Sequence, residues 1–274
     1  MALSALGFSA MSVLVKLACR TLPTGEVVLA RAVLTLVLSF AMVRRAGLSP
    51  LGTQRGKLVV RGLLGFAALS CYYLSLARLQ LADATTLQNM IPVFTALLAW
   101  WILGERVGGG ASIATACGVV GVVLVAHPTG ADADWLGVTC ALVGATFSAF
   151  AYVTVRQLAR TEHPLVIVLY FPLVATPLAI PWAAYHWVWP DARGWLLLVA
   201  IGIATQLGQV FLTMALAIER AGRATSVGYL QICFAIVWQL VVFGVWPSWS
   251  MLAGAALIIA GTLAVSATSR PITT

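Results

Sequence analysis

Charged side chains are scarce in this sequence of 274 residues, because only 9% are Asp, Glu, Lys or Arg, whereas an ordinary soluble domain has about 25%. So few charges cannot cover a globular surface in water. Hydrophobic residues make up 61% of the chain, and its mean hydropathy is +1.00. The composition therefore predicts a protein that is surrounded mostly by lipid.

The usual patterns of metal and nucleotide sites are also missing. The five cysteines lie singly within apolar runs and form no Cys-x-x-Cys pair, which argues against a zinc site and a disulfide framework. The only glycine run, Gly108 to Gly110, has no lysine of the phosphate-binding type after it. We therefore expect no cofactor, no metal and no nucleotide.

Long apolar runs are what the chain does have. A transmembrane helix needs roughly 20 apolar residues, so this length suits about ten spans and leaves no room for a separate soluble domain. The first run begins at Leu3 without a basic leader, which predicts a span and not a removable signal. The ten predicted spans are 3–20, 26–43, 58–78, 83–103, 109–127, 135–159, 164–187, 194–217, 224–244 and 249–268.

The net charge of +8 comes from cations at alternate ends of the spans. With a cytoplasmic amino terminus, three cations lie outside (Arg20, Arg78 and Arg193), and Lys16 and Arg31 lie within spans. Lys and Arg are enriched on the cytoplasmic side, so both termini are predicted to be cytoplasmic and no nucleic acid is needed to explain the charge. The eleven inside cations are Arg44, Arg45, Arg55, Lys57, Arg61, Arg106, Arg156, Arg160, Arg220, Arg223 and Arg270.

An internal repeat divides the chain, with a first half at 1–130 and a second at 131–274. Because each half would hold five spans, an odd number, the second half must enter the membrane upside down. Secondary transporters commonly have this plan, with the solute site between the halves near the middle of the membrane. The matches at an offset of 139 or 140 are Phe8-Ser9-Ala10 with Phe147-Ser148-Ala149, Lys16 with Arg156, Arg20 with Arg160, Ala84-Thr85 with Ala224-Thr225, Phe94 with Phe234, Gly104 with Gly244, and Gly121 with Gly261.

The fourth predicted span stands out because polar residues precede a proline inside it. Gln88, Pro92 and Thr95 share one helical face, and Asn89 lies beside that face. Amides and a helix breaker are costly in hydrocarbon unless they face protein or water. The segment is therefore predicted to line a solute pathway, with Pro92 loosening the helix. The alternative is that the amides hold neighbouring helices together.

Particular stretches also resemble a known family. LADATT, IPVF and LLAWWILGER in the fourth span, with FSAMSVLVKL and LPTGEVVLAR in the first two, resemble EamA-type transporters of the drug/metabolite transporter superfamily. The resemblance implies an all-α membrane protein whose ten helices form two inverted repeats around a central cavity, often exporting amino acids or related metabolites from bacteria. The second half has Ile232, Val245 and Trp246 in place of Pro92 and the Glu105-Arg106 pair, so the motifs are not symmetric.

Polar stripes on other spans extend the predicted cavity. Hydroxyls, amides and aromatic faces around apolar walls suit an amino-acid-sized solute. For each residue, packing within the protein is the alternative to substrate contact. The predicted substrate-binding residues are Arg31, Tyr72, Tyr73, Gln88, Asn89, Tyr152, Gln206, Gln209, Tyr229 and Gln231.

A cluster of three charged side chains, Lys16, Glu26 and Arg31, is predicted near the outer ends of the first two spans. A cation in a span costs on the order of 2.5–3.5 kcal/mol by insertion scales, so it should be paired or hydrated. The functional interpretation is a cationic lip for a substrate carboxylate, with Lys16, Glu26 and Pro92 in gating or coupling. The alternative is that Lys16 extends to the interface and pairs with a structural Glu26.

Three classes of function fit a chain of this kind. We expect a secondary transporter, acting as a monomer in the bacterial inner membrane, that exports amino acids or related small metabolites. An importer, or an exporter of another metabolite or drug, is the nearest alternative. An intramembrane enzyme would need a nucleophile with its base or a metal cluster, and no HExxH or GxSxG motif is present. A channel or structural subunit would not need an inverted duplication.

Overall fold

A computed structural model describes residues 1–103, 117, 120–121, 124, 134–218 and 230–268. Within these residues the chain is helical, as the apolar runs and their breakers predict. The fifth predicted span, 109–127, lies almost wholly outside the described residues. The helices are α1 (Ala2–Ala18), α2 (Thr24–Arg45), α3 (Arg55–Arg78), α4 (Leu81–Gln88), α5 (Ile91–Leu103), α6 (Trp135–Leu158), α7 (Pro164–Tyr185), α8 (Ala192–Ile218), α9 (Leu230–Phe243) and α10 (Trp249–Thr268).

Five of the described helices are long and apolar enough to cross a membrane. They are α2, α3, α6, α7 and α8, each of 22 to 27 residues. Of the others, α1 has 17 residues and α9 has 14, which is short for a full crossing. The all-α membrane architecture is thus confirmed, and the number of ten complete spans stays a prediction.

The fourth predicted span, 83–103, is wrong as a single helix. The chain forms α4 and α5 instead, with Asn89 and Met90 between them. Proline has no N–H to donate, and its ring collides with the carbonyl four residues earlier, which for Pro92 belongs to Gln88. At the break, the carbonyl of Thr85 accepts hydrogen bonds from both the side-chain amide of Asn89, at 2.8 Å, and the backbone N–H of Asn89, at 3.0 Å.

Corresponding helices of the two halves run in opposite directions. Gly25, at the start of α2, lies against Trp182 near the end of α7, where an added Cβ would be 3.0 Å from the indole ring. At the opposite end, the N–H of Thr53, which follows α2, donates to Glu162, which precedes α7, at 2.6 Å. Since α2 and α7 are the second helices of their halves, their antiparallel packing confirms the predicted inversion.

The remaining packing repeats the same exchange between halves. The first helix of each half packs on the third helix of the other, so that α1 contacts α8 and α6 contacts α3. The α1 and α8 backbones come close because Gly7 faces Gly208, and the Ser4 hydroxyl donates to the Gly208 carbonyl at 2.8 Å. This arrangement leaves the middle of the bundle bounded by helices from both halves.

Candidate functional site

A cavity lies between the two halves. Sites for small ligands commonly have apolar walls with a few polar groups. Phe8, Met11, Leu69 and Ile91 are among the apolar lining residues. The polar or phenolic lining residues are Arg31, Arg61, Tyr72 and Gln88 from the first half and Ser148, Tyr152, Gln209 and Gln231 from the second.

Six of the residues predicted to bind substrate line this cavity, namely Arg31, Tyr72, Gln88, Tyr152, Gln209 and Gln231. Both halves contribute to the set, as the inverted repeat predicts. Their shared surface shows that the polar stripes of α3, α4, α6, α8 and α9 converge. The substrate contacts themselves stay a prediction.

Hydrogen bonds hold two of these side chains at the cavity wall. The Tyr72 hydroxyl lies 2.9 Å from the Ser12 hydroxyl and 3.3 Å from that of Thr85. The Gln88 side-chain amide donates to the Ser148 hydroxyl at 3.2 Å, which joins α4 to α6 across the halves. The Gln88 Oε1 atom is buried without a hydrogen-bond partner among the described residues.

Four other predicted substrate-binding residues are not brought to the described lining. Tyr73 is fully buried, with the Arg31 guanidinium 5.7 Å from its ring centroid. Asn89 bonds to the backbone at the helix break. Gln206 exchanges hydrogen bonds with Ser39 at 3.0–3.1 Å and thereby joins α8 to α2. Tyr229 lies outside the described residues.

The predicted cluster of Lys16, Glu26 and Arg31 does not form. The Lys16 ammonium donates to the carbonyls of Leu76 and Leu79 at the end of α3, where carbonyls lack helical partners. Glu26 accepts from the N–H of Val188, and Arg31 donates to the Thr205 hydroxyl at 3.2 Å. Each group therefore finds a partner in a different helix or loop. Pro92 stands in the first turn of α5, and its side chain is outside what the structure describes.

The main residue that sequence reasoning missed is Arg61. The distribution of cations predicts a place in a cytoplasmic loop, but Arg61 lies within α3, is 3% exposed and lines the cavity. A helical face carrying Arg61, Gly65, Ala68, Leu69 and Tyr72 gave a usable signal, because these positions repeat at the spacing of one helix side. Each of these residues contributes to the cavity wall.

Arg31 and Arg61 both face the ring of Phe171. The Cζ atom of each guanidinium lies 5.0 Å from the ring centroid, within the range of a cation–π interaction. Phe171 stands 140 residues after Arg31, which is the offset of the repeat, on the antiparallel partner helix α7. A cationic residue of one half therefore meets its aromatic counterpart in the other.

The two guanidiniums form a concentrated positive charge. Because both are 5.0 Å from one point, their Cζ atoms lie no more than 10 Å apart, and at that distance two unit charges repel by about 1.7 kcal/mol at an effective dielectric constant of 20. Arg31 Nη1 and Arg61 Nε are buried without hydrogen-bond partners among the described residues. No acidic side chain appears among the described lining residues. This part of the cavity is therefore suited to an anion.

Comparison with known proteins gives a consistent result. The EamA-like transporter family matches residues 1–126 and 135–267. The pseudopaline exporter CntI of Pseudomonas aeruginosa is 35% identical over 269 residues, covering 98% of this chain and 95% of that protein. Human solute carrier family 35 member G1 is 28% identical over 243 residues, covering 83% of this chain and 66% of that protein.

A crystal structure of another protein shares the fold, with a TM-score of 0.72 at 19% identity over 99% of both chains. The family match extends over both halves, and it agrees with the inverted packing of α2 against α7 and the cavity between the halves. This chain belongs to the EamA-like transporter family and is a multi-pass membrane protein.

Proposed function

We propose that this protein exports a small metabolite from the cytoplasm across the bacterial inner membrane by alternating access. The two halves, with a boundary near 130/131, would rock against each other so that the cavity opens to one side at a time. Both termini would face the cytoplasm, as the distribution of cations indicates. Amino acids and related metabolites are the solutes that we expect first.

The observation that carries this proposal is the lining of the cavity by polar groups from both halves. Gln88 and Arg31 come from the first half, and Ser148, Tyr152 and Gln209 come from the second. When both halves hold the solute, any movement of one half against the other changes the contacts of the solute. A site inside a single half would not couple binding to such a movement.

The similarity to a pseudopaline exporter supports outward movement of the solute, since that relative covers nearly the whole chain. It also widens the range of solutes to be tested beyond ordinary amino acids. Among the other predicted roles, Pro92 would allow α4 and α5 to change their angle. Lys16 and Glu26 would hold the ends of α3 and α7 in the conformation seen here.

An intramembrane enzyme is the competing class. The described residues contain no group of three or more His, Cys, Asp or Glu side chains that could hold a metal ion. The cavity offers amides, phenols and guanidiniums, which bind and orient a solute. We therefore propose transport without chemical change of the solute.

Export can be tested by comparing bacteria that produce the protein with bacteria that produce the Ser148→Trp variant. Ser148 lines the cavity and is 8% exposed, so an indole there would fill the cavity. Mass spectrometry should find a metabolite that leaves the cells and enters the medium only with the unchanged protein. Export would be contradicted if the media of the two strains were identical, or if the solute accumulated inside the cells that produce the unchanged protein.

A further inference from the structure

We infer that the cavity selects solutes that carry two negative charges, with Arg31 and Arg61 neutralising them together. The inference rests on the proposed function in taking the cavity as the solute site. It adds a substrate class, organic dianions, and it assigns a specificity role to Arg61.

The charge of the pair is not balanced by protein carboxylates within the described part of the chain. None of the acidic residues described there lines the cavity. Four of them hold other groups: Glu26 the N–H of Val188, Glu162 the loop at Thr53, Asp134 the side chain of Arg78, and Asp191 the N–H of Gly194. A buried charge without a partner is unfavourable, so a bound anion would relieve the cost of both guanidiniums.

The position of the guanidiniums matches one small solute with two charges. Their Cζ atoms lie no more than 10 Å apart, on a single aromatic ring that bounds the cavity. A guanidinium can donate two parallel hydrogen bonds to a carboxylate or phosphate. Two carboxylates joined by a short carbon chain, or one phosphate ester, could therefore reach both residues.

The surroundings of Arg61 keep its guanidinium at the cavity. Gly65, one turn along α3, has no side chain, and an added Cβ would collide with Arg61 Nη1 and with the Phe171 ring. The missing side chain thus leaves the space that the guanidinium occupies. Phe171 provides a favourable electrostatic face for both cations, and Arg31 Nη1 and Arg61 Nε have no hydrogen-bond partner among the described residues.

Binding of four probes to the detergent-purified protein tests the inference: glutarate, ethyl phosphate, butyrate and butyramide. Ligands that bind the folded state raise its thermal stability in proportion to their affinity and concentration. At a pH where ethyl phosphate is a dianion, we expect glutarate or ethyl phosphate to bind about tenfold or more tightly than butyrate, the equivalent of one additional charged hydrogen bond. The stronger of the two dianions identifies a carboxylate pair or a phosphate. A preference for butyrate or butyramide, or no preference, would overturn the inference.

Variants link the preference to the two arginines. In Arg31→Gln and Arg61→Gln, the ratio of dianion to butyrate affinity should fall to near one. The exposed Arg45, at the end of α2, provides the matched control, and Arg45→Gln should keep the ratio. Because the ratio is measured within each variant, general loss of stability does not imitate the effect. Met variants, which remove the charge and keep an unbranched side chain, replace any Gln variant that fails to fold. An unchanged ratio at both positions would overturn the inference.

Transport measured separately in liposomes distinguishes this inference from the proposed function. If dianions bind in an arginine-dependent way but no solute crosses, the specificity holds and the transport proposal fails. If the protein transports neutral or cationic solutes while glutarate and ethyl phosphate neither bind nor compete, transport holds and the dianion inference fails.

Discussion

Glu162 provides a quantitative test of how the two halves are held together. It lies between α6 and α7 and is only 7% exposed. Its Oε1 atom accepts hydrogen bonds from the N–H and hydroxyl of Thr53 and from the N–H of Gln54, just before α3. One carboxylate of the second half thus holds the loop of the first half and faces the positive end of a helix dipole.

Replacing the carboxylate by an amide in Glu162→Gln should remove much of this stabilisation. Hydrogen bonds to a charged group contribute about 1.5–3 kcal/mol each, but they share one oxygen, and Gln can still accept one bond, so we expect a loss of about 2 kcal/mol. That loss corresponds to a fall in the unfolding midpoint on the order of 4–8 °C. Thermal unfolding of the detergent-purified protein at pH 7 measures it.

The pH dependence gives the same test a second observable. Burial alone would raise the pKa of Glu162, but the hydrogen bonds from Thr53 and Gln54 hold this pKa below its usual value of 4.5. A lowered pKa in the folded state means that the stabilisation is complete above about pH 4.5 and is lost as the pH falls through the folded-state pKa. The Glu162→Gln variant should therefore lose less stability than the unchanged protein over this acidic range.

Asp191→Asn is the matched control, because the exposed Asp191 accepts a single backbone N–H, that of Gly194, at 2.7 Å. Its loss should cost about 1 kcal/mol or less, as for an ordinary helix cap. If Glu162→Gln unfolds like the unchanged protein at pH 7, or no more easily than Asp191→Asn, then Glu162 does not join the halves in the way described.

Three further predictions concern the cavity and the packing around it. Gln88→Ala and Gln209→Ala should each slow transport about tenfold through loss of a solute hydrogen bond, without lowering the amount of folded protein. Gln206→Ala should instead lower thermal stability. Unimpaired transport in both Gln88→Ala and Gln209→Ala would show that neither side chain belongs to the solute site. Gly7→Leu should lower the free energy of unfolding by about 1–3 kcal/mol, because a Cβ at Gly7 would already be 3.0 Å from the backbone of Gly208. An unchanged unfolding midpoint would contradict this packing of α1 on α8. Pro92→Ala should slow transport and leave the unfolding midpoint unchanged, because α4 and α5 could then join into one helix. Transport at the normal rate would show that gating does not depend on the break between α4 and α5.

The inverted architecture could be predicted from sequence because a constant offset and an odd number of spans per half leave one arrangement. The convergence of Gln88 and Gln209 at one cavity followed from the cost of placing amides in lipid. Both conclusions depend on patterns that extend over whole helices, so small errors in the helix ends do not alter them.

Finer features depended on geometry that the pattern does not contain. Gln206 and Gln209 lie on the same side of α8 by spacing, yet Gln206 bonds to Ser39 and Gln209 lines the cavity. The sequence predicts a loop position for Arg61, because cations near span ends usually mark the membrane surface. Its place in the cavity depends on the space at Gly65 and on Phe171 of another helix, which the local sequence does not show.

The most direct test of the account is release of a bacterial metabolite mixture from liposomes that contain the purified protein. We expect one or more solutes to leave vesicles with the unchanged protein, but not vesicles with Ser148→Trp, in which the cavity is filled. Val143→Trp is the control, because Val143 lies on the same helix and is 39% exposed on its outer side; it should release the same solutes at the normal rate. Release that is equally fast through Ser148→Trp would contradict passage through the cavity between the halves, and no release from any vesicle would contradict transport itself.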